Sequence, residues 1–234
     1  MSTHPRGVFI TGTDTGVGKT LFAAALIRAL VGSGLRVAGM KPVASGSQRT
    51  PDGLRNADAL TLASAANVRA AYETVNPYCF EPPIAPHIAA REAGVAIDVH
   101  LVRRRFDELA REAQFVVVEG AGGWLAPISA TQTLADLALA LEIPVILVVG
   151  LRLGALNHAL LSAEAIAARH AKLVGWVANQ LDPAFERSAE NLATLEARLH
   201  AAPLLHVPFM THPVGEAAVS GEAAARLAHA LLLR

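Results

Sequence analysis

Only one cysteine, Cys79, occurs in 234 residues, so no internal disulfide can form and a reducing compartment is the natural expectation. It lies in Asn76-Pro77-Tyr78-Cys79-Phe80 without a local activating pattern, which reads as a structural thiol rather than a nucleophile. An excess of one charge is also lacking. Twenty basic and 20 acidic side chains balance, so no whole-chain field draws the protein to nucleic acid or to an acidic membrane surface. The one basic cluster, Arg103-Arg104-Arg105, falls in a polar helical stretch and reads as a solvated helix face. Long apolar runs are missing too. The most apolar window, Leu134–Leu151, is broken by Asp136, Glu142 and Pro144, so it fits a helix, a turn and a buried strand better than a membrane span. Met1–Arg6 is short and polar with no signal-like apolar stretch after it, so a cytoplasmic protein is expected. The nine histidines show no metal-ligand spacing, and a zinc site is not expected.

What is present is a hydrophobic fraction of 53%, enough for a full core in one α/β domain over residues 1–234. Short β-branched runs alternate with Ala/Leu-rich stretches. The strand candidates are Val8–Thr11, Arg36–Met40, Phe115–Val118, Val145–Val149, Leu173–Ala178 and Leu204–Val207. Helices are expected at Lys19–Gly32, Ala57–Ala65, Asp98–Glu112, Thr133–Leu141, Ala155–Arg169, Pro183–His200 and Gly221–Leu233. Several strands are apolar on both faces, as strands are in a parallel sheet covered by helices. The pattern predicts a doubly wound, mostly parallel sheet flanked by helices. The Gly/Ser/Pro/Asn-rich segment Ala44–Asn56 reads as a functional loop, and the proline-rich Tyr78–His87 as an ordered, irregular connection.

The first strand runs into Gly12-Thr13-Asp14-Thr15-Gly16-Val17-Gly18-Lys19-Thr20 and then a helix. Glycines let backbone N–H groups fold around phosphates, and the helix N-terminus adds partial positive charge. Lys19 can reach the β/γ-phosphates and the Thr20 hydroxyl can ligate Mg²⁺. Five residues separate Gly12 from Gly18, one more than in the common form, but the strand–loop–helix context supports a P-loop site for a nucleoside triphosphate. Asp14 stands where ATPases of the partitioning and division-site type carry a second lysine, which weighs against a nucleotide-switch dimer of that kind.

Ligands of open parallel sheets bind beyond the carboxyl ends of the strands. Those ends carry Lys41 and the segment to Ser47, Glu119-Gly120-Ala121-Gly122-Gly123, Gly150 to Asn157, Asn179, and Pro208. Glu119 occupies the position of an acidic Mg²⁺ partner. Lys41 reads either as a solvated lysine or as a second cation near transferring phosphate. Asp58 can bind or merely compensate a helix dipole. Asn179 can pair with an adenine edge or shape a turn.

Together these segments resemble the dethiobiotin synthetases. The resemblance runs through Thr11–Thr20, Lys41-Pro42-Val43-Ala44-Ser45-Gly46-Ser47, Gly53–Leu60, Thr74–Tyr78, Pro86-His87-Ile88, Val118–Trp124, Pro144–Gly150 and Gly175–Asn179. It implies ring closure of 7,8-diaminononanoate with CO₂ and MgATP through a carbamic–phosphoric anhydride. It implies Lys41, Lys19 and Thr15 as catalytic residues, and Mg²⁺ on Thr20, Asp58 and Glu119. Nucleotide contacts would come from Gly16, Val17, Gly18, Lys19, Thr20 and Leu21, and from Glu119, Gly120, Ala121 and Gly122. Asn179, Gln180, Pro208, Phe209 and Met210 would hold the adenine. Ser45 would meet the diamine, and Gly154, Ala155 and Asn157 would meet its carboxylate across a homodimer interface. Gly16 stands where some relatives carry glutamate, and the resemblance weakens beyond Thr211. The competing readings are an amide synthetase on the same fold, for which the chain has no room for the added glutaminase domain, and a P-loop switch or scaffold acting through protein partners.

Overall fold

Buried β-branched strands and Ala/Leu-rich helices do alternate in the computed structural model, which describes residues 7–209. In chain order the elements are β1 (Gly7–Gly12), α1 (Lys19–Gly32), β2 (Val37–Met40), β3 (Val43–Ala44), β4 (Gln48–Thr50), β5 (Gly53–Arg55) and α2 (Ala57–Ala65). They continue with α3 (Tyr72–Val75), β6 (Tyr78–Cys79), α4 (Pro86–Glu92), α5 (Val99–Glu112), β7 (Phe115–Glu119) and α6 (Leu134–Leu141). The last are β8 (Val145–Leu151), α7 (Ala155–Ala168), β9 (Leu173–Gln180), α8 (Ser188–Leu199) and β10 (Leu205–Val207).

The main sheet has the order β10-β9-β8-β1-β7-β2, and every neighbouring pair is parallel. The period of two sends alternate side chains into separate cores. Val8 and Ile10 of β1, Val117 of β7, and Ile146 and Val148 of β8 pack with Phe22, Leu26 and Ile27 of α1 and Leu62 of α2. Phe9, Val116, Val118, Leu147 and Val149 face the opposite layer, with Phe106 of α5, Leu134 of α6 and Ile166 of α7. Helices therefore cover both faces, as the doubly apolar strands predict.

Differences from the expectations lie at the ends and in the loops. β1, β7, β8 and β9 each extend beyond the predicted strand, so Glu119 and Asn179 are the last or near-last residues of strands. α8 starts at Ser188, five residues after the predicted Pro183, because Asp182 caps a turn by accepting from Ala184 N at 2.8 Å. Part of the segment expected to be a loop over Ala44–Asn56 is a hairpin, with Gln48 opposite Arg55 and Thr50 opposite Gly53. Its turn closes through Thr50 Oγ1, which donates to Gly53 O at 2.8 Å. The triplet Pro51-Asp52-Gly53 is the local signal for it. The helix expected at Gly221–Leu233 lies outside the described residues, as do Met1–Arg6.

Candidate active site

The six-stranded order puts β1 between β7 and β8, and β2 beside β7. Their carboxyl ends thus deliver the phosphate loop, Glu119 and Lys41 to one edge. There a cleft of ≈ 870 Å³ opens, lined among others by Asp14, Thr15, Lys19, Ser45, Asp58 and Ala126. Lys41, Glu119, Gly16, Gly18, Thr20, Ala121 and Gly122 line it as well.

The phosphate loop is held in shape by its own contacts and by β9. Lys19 Nζ donates back to Asp14 O at 2.8 Å across the loop. Gly18, the residue before α1, has φ +94°, a left-handed conformation that L side chains rarely adopt. A Cβ there would also collide with the Asn179 amide. Asn179 Nδ2 donates to Val17 O at 2.9 Å, so β9 braces the loop from below. Burial and the charge of Lys41 lower Lys19 to about 8, against the pull of Glu119, Asp58 and Asp14. An anion in the loop would reverse that balance.

At the centre, Lys41 Nζ lies 2.6 Å from Glu119 Oε1, 2.8 Å from Asp58 Oδ2 and 3.3 Å from Gly120 O. Lys41 and Glu119 are 5% and 1% exposed at their side chains, whereas Asp58 is 41% exposed and faces the cleft. Burial opposes a charge on Lys41, yet Glu119 and Asp58 outweigh it and hold the ammonium above the usual lysine range. Burial likewise opposes ionised Asp58, and Lys41 outweighs it, keeping the carboxyl below its usual value. Thr20 Oγ1 donates to Glu119 Oε1 at 2.9 Å. Glu119 Oε2 and Ser45 Oγ are buried without a protein partner. An orphaned carboxylate oxygen beside a threonine hydroxyl and a second carboxylate is a hard-oxygen donor set that fits Mg²⁺. Among the described residues no group of three or more His, Cys, Asp or Glu could hold a metal alone. Mg²⁺ does not need one, since one or two carboxylates with substrate phosphates suffice.

α2 presents Asp58 because Asn56 caps that helix, its Oδ1 accepting from Asp58 N at 3.1 Å and Ala59 N at 3.2 Å. Of the remaining expected residues, Gly120 touches the site through its carbonyl, whereas Val17, buried within the phosphate loop, and Leu21, in the first turn of α1, do not line the cleft. Gly154, Ala155, Asn157, Asn179, Gln180, Pro208 and Phe209 do not line it either, and Met210 lies outside the described residues. Gly154 and Asn157 are exposed at the start of α7. Their loop is tied to the phosphate loop by an ion pair of Arg152 with Asp14. Sequence reasoning missed Asn56 and the apolar wall of Pro83, Ile84, Ala85, Pro86, Ala126 and Pro127. The proline-rich stretch signalled an ordered segment but not the cavity it borders. The arginine cluster is a paired surface: Arg103 meets Asp107 and Glu142, Arg104 meets Asp98, and Arg105 meets Glu108. Cys79 is not isolated, its Sγ donating to Ser47 Oγ at 3.0 Å.

Comparison with known proteins adds the following. The family model described as an AAA domain matches residues 6–216. A protein of Xanthomonas oryzae pv. oryzae named ATP-dependent dethiobiotin synthetase BioD is 48% identical over 219 residues, covering 94% of this chain and 97% of its own. Proteins of the same name are 54% identical in Pseudomonas paraeruginosa, over 91% of this chain and 93% of theirs, and 55% identical in Pseudomonas aeruginosa, over 86% and 88%. Among solved structures, the MinC:MinD cell division protein complex of Aquifex aeolicus superposes with a TM-score of 0.62 at 16% identity, over 98% of this chain and 96% of that one. A ParA family ATPase of Chlorobium tepidum reaches 0.56 at 13% identity, over 97% of each chain. At those identities the likeness is one of fold, the P-loop NTPase fold.

Proposed function

Because the chain belongs to the ATP-dependent dethiobiotin synthetases, within the AAA domain family, we propose that the strand-end cleft around Lys41 is where it closes the ureido ring. The activity is that of an ATP-dependent carbon–nitrogen cyclo-ligase: 7,8-diaminononanoate, CO₂ and ATP give dethiobiotin, ADP and phosphate. One amine captures CO₂ as a carbamate and releases a proton. The carbamate oxygen attacks the γ-phosphorus and ADP leaves. The second amine attacks the carbonyl of the resulting carbamic–phosphoric anhydride, and phosphate leaves as the ring closes.

The single observation that carries the assignment of residues is Lys41. A lysine buried at a strand end, held charged by two carboxylates in a cleft beside a phosphate loop, is placed to bring two anions together. In our reading Lys41 holds the carbamate against the γ-phosphate, and Lys19 holds the β/γ-phosphates with the N–H groups of Thr15–Thr20. Thr15 stands at the cleft mouth as a further donor. The buried, unpartnered Ser45 hydroxyl receives the diamine or its carbamate. Thr20, Asp58 and Glu119 would hold Mg²⁺, which neutralises phosphate charge when bound. The adenine reaches Asn179, Gln180, Pro208 and Phe209 at the neighbouring strand ends, with Met210 as a further contact by resemblance alone. The chain acts as a homodimer, with Gly154, Ala155 and Asn157 at the substrate carboxylate of the partner. The support is the exposure of Gly154, Asn157 and Leu153, the last 93% exposed, with Ala155 buried beneath them, and the ion pair of their loop to the phosphate loop. One domain spans residues 1–234, supported by the single six-stranded sheet of the described residues. A cytoplasmic location is supported by the lone cysteine; no described helix is long and apolar enough to cross a membrane.

The test is ADP release by the purified protein with MgATP and bicarbonate, with and without 7,8-diaminononanoate, with the product identified by mass. Diamine-dependent turnover that yields dethiobiotin and disappears in Lys41→Ala is expected. An ATPase stimulated by a protein partner and indifferent to the diamine would favour the switch reading instead.

A further inference from the structure

Lys41 and Asp58 reach the cleft from separate elements, the end of β2 and the first turn of α2, yet their side chains meet at 2.8 Å. The two elements pack directly on each other further along, where Gly39 of β2 leaves room for Leu62 of α2. At the cleft end a chain of partly buried polar contacts joins them. Asn76 Nδ2 donates to Lys41 O at 2.6 Å and to Tyr78 O at 3.1 Å. Tyr72 OH donates to Asn76 Oδ1 at 3.0 Å and accepts from Asn56 N at 2.7 Å. Asn56 then caps α2 at Asp58 and, through Nδ2, donates to Ser45 O at 3.4 Å. Lys41 N also donates to Val75 O, at 2.8 Å, in the short helix α3 that carries Tyr72. Asn56 and Asn76 are 6% and 2% exposed, so each needs these partners.

We propose that Tyr72 is a positioning residue: its hydroxyl, set between Asn56 and Asn76, fixes the separation of the Lys41 and Asp58 backbones and so tunes the cation-binding side of the cleft. Tyr72 does not line the cleft and touches nothing that reacts. Its ring is held in place by the Arg55 guanidinium, 4.1 Å from the ring centroid. Burial pushes the hydroxyl up to about 12, so it remains a donor across the working pH range. Loss of the oxygen would leave the Asn56 N–H and Asn76 Oδ1 unpaired together, and the first turn of α2, with Asp58 on it, would relax from the end of β2 while Leu62 stays packed on Gly39. The inference rests on reading Asp58 and Lys41 as site groups, and the experiment separates the two claims.

Tyr72→Phe keeps the ring and its stacking. Its Mg²⁺ response is read as the midpoint of the Mg²⁺-induced rise in melting temperature with ATP present, alongside steady-state rates. Tyr78→Phe serves as the control, because Tyr78 OH accepts from Asp98 N at 2.8 Å on a different strut of the fold. Tyr72→Phe is expected to raise the Mg²⁺ midpoint and lower kcat by about ten-fold each, the lower end of what losing an outer-shell partner does. The KM for ATP at saturating Mg²⁺ should stay within about two-fold. Tyr78→Phe is expected to lose melting temperature with its Mg²⁺ midpoint unmoved. A Tyr72→Phe protein that behaves in the same way would overturn the proposal and leave the site reading intact. If Asp58→Asn also leaves the midpoint unmoved, Asp58 is not a cation ligand, and both claims fall.

Discussion

Replacing Lys41 by methionine separates its pairing with the Glu119 and Asp58 carboxylates from its proposed part in the reaction. Its ammonium pairs with Glu119, which is 1% exposed, and with Asp58. Removing one partner of a buried pair typically costs about 3–5 kcal/mol, because the remaining charge is stranded. For a chain of this length that corresponds to a melting temperature lower by roughly 10 °C in EDTA. Methionine fills the stem volume, so the loss reports charge rather than a cavity. Mg²⁺ should then bind more readily than in the unaltered protein, since no lysine competes for the same carboxylates. At 100 times its dissociation constant a bound ion returns about 2.7 kcal/mol. Lys41→Met should therefore melt well below the unaltered protein in EDTA and recover most of the gap on Mg²⁺ titration, while its kcat falls by about 10²–10³-fold. Melting curves with and without Mg²⁺ suffice. A variant that melts normally in EDTA, or whose Mg²⁺-induced gain is no larger than that of the unaltered protein, would refute the reasoning.

Other outcomes follow from the loop and the helix caps. Gly18→Ala should lose nucleotide binding measured by calorimetry, and about 1–3 kcal/mol of stability in urea titration, because the position has φ +94° and its Cβ would collide with Asn179. Gly16→Glu should fold at a small cost of about 1 kcal/mol: φ is +75°, but an added Cβ meets nothing within 4 Å. Its effect should show in ATP affinity, read by the same calorimetry. Asp136 is held below the usual carboxyl range: burial opposes its charge, but the Thr133 N–H and hydroxyl and Arg169 outweigh it. That stabilisation is present above the unfolded carboxyl value of about 3.9 and is lost as pH falls through the lower folded value. Asp136→Asn should thus cost about 1 kcal/mol at pH 7, and the gap should narrow from pH 5 to pH 2 in urea unfolding.

Much of this site was legible in the chain because parallel sheets gather the carboxyl ends of their strands. Once Val8–Thr11, Phe115–Val118 and Arg36–Met40 read as strands, Lys19, Glu119 and Lys41 had to share an edge, and Glu119 lies 2.6 Å from Lys41. Asp58 was less legible. A carboxylate in a first helical turn has a bland explanation, and only tertiary packing brings it to Lys41. Tyr72, Asn76 and Asn56 were invisible as a unit, since their hydrogen bonds join residues whose neighbourhood is set by the path of the Tyr72–Cys79 segment. The prolines from Pro82 to Pro86 announced an ordered stretch, but the face they turn to the cleft depends on packing that no local periodicity encodes. The hairpin at Gln48–Arg55 has its turn signal in Pro51-Asp52-Gly53, but the Gly/Ser/Pro/Asn composition of the surrounding segment reads as loop and masks it.

The most direct test of the central claim follows the oxygen atoms. Carbon dioxide labelled with ¹⁸O, supplied with unlabelled water, MgATP and 7,8-diaminononanoate, is turned over rapidly enough to precede exchange, and the phosphate is analysed by mass. Attack of a carbamate oxygen on the γ-phosphorus in the Lys41 cleft predicts one ¹⁸O atom in each phosphate released, together with dethiobiotin. Unlabelled phosphate formed alongside dethiobiotin would contradict the account, because water rather than the carbamate would then have taken the phosphoryl group.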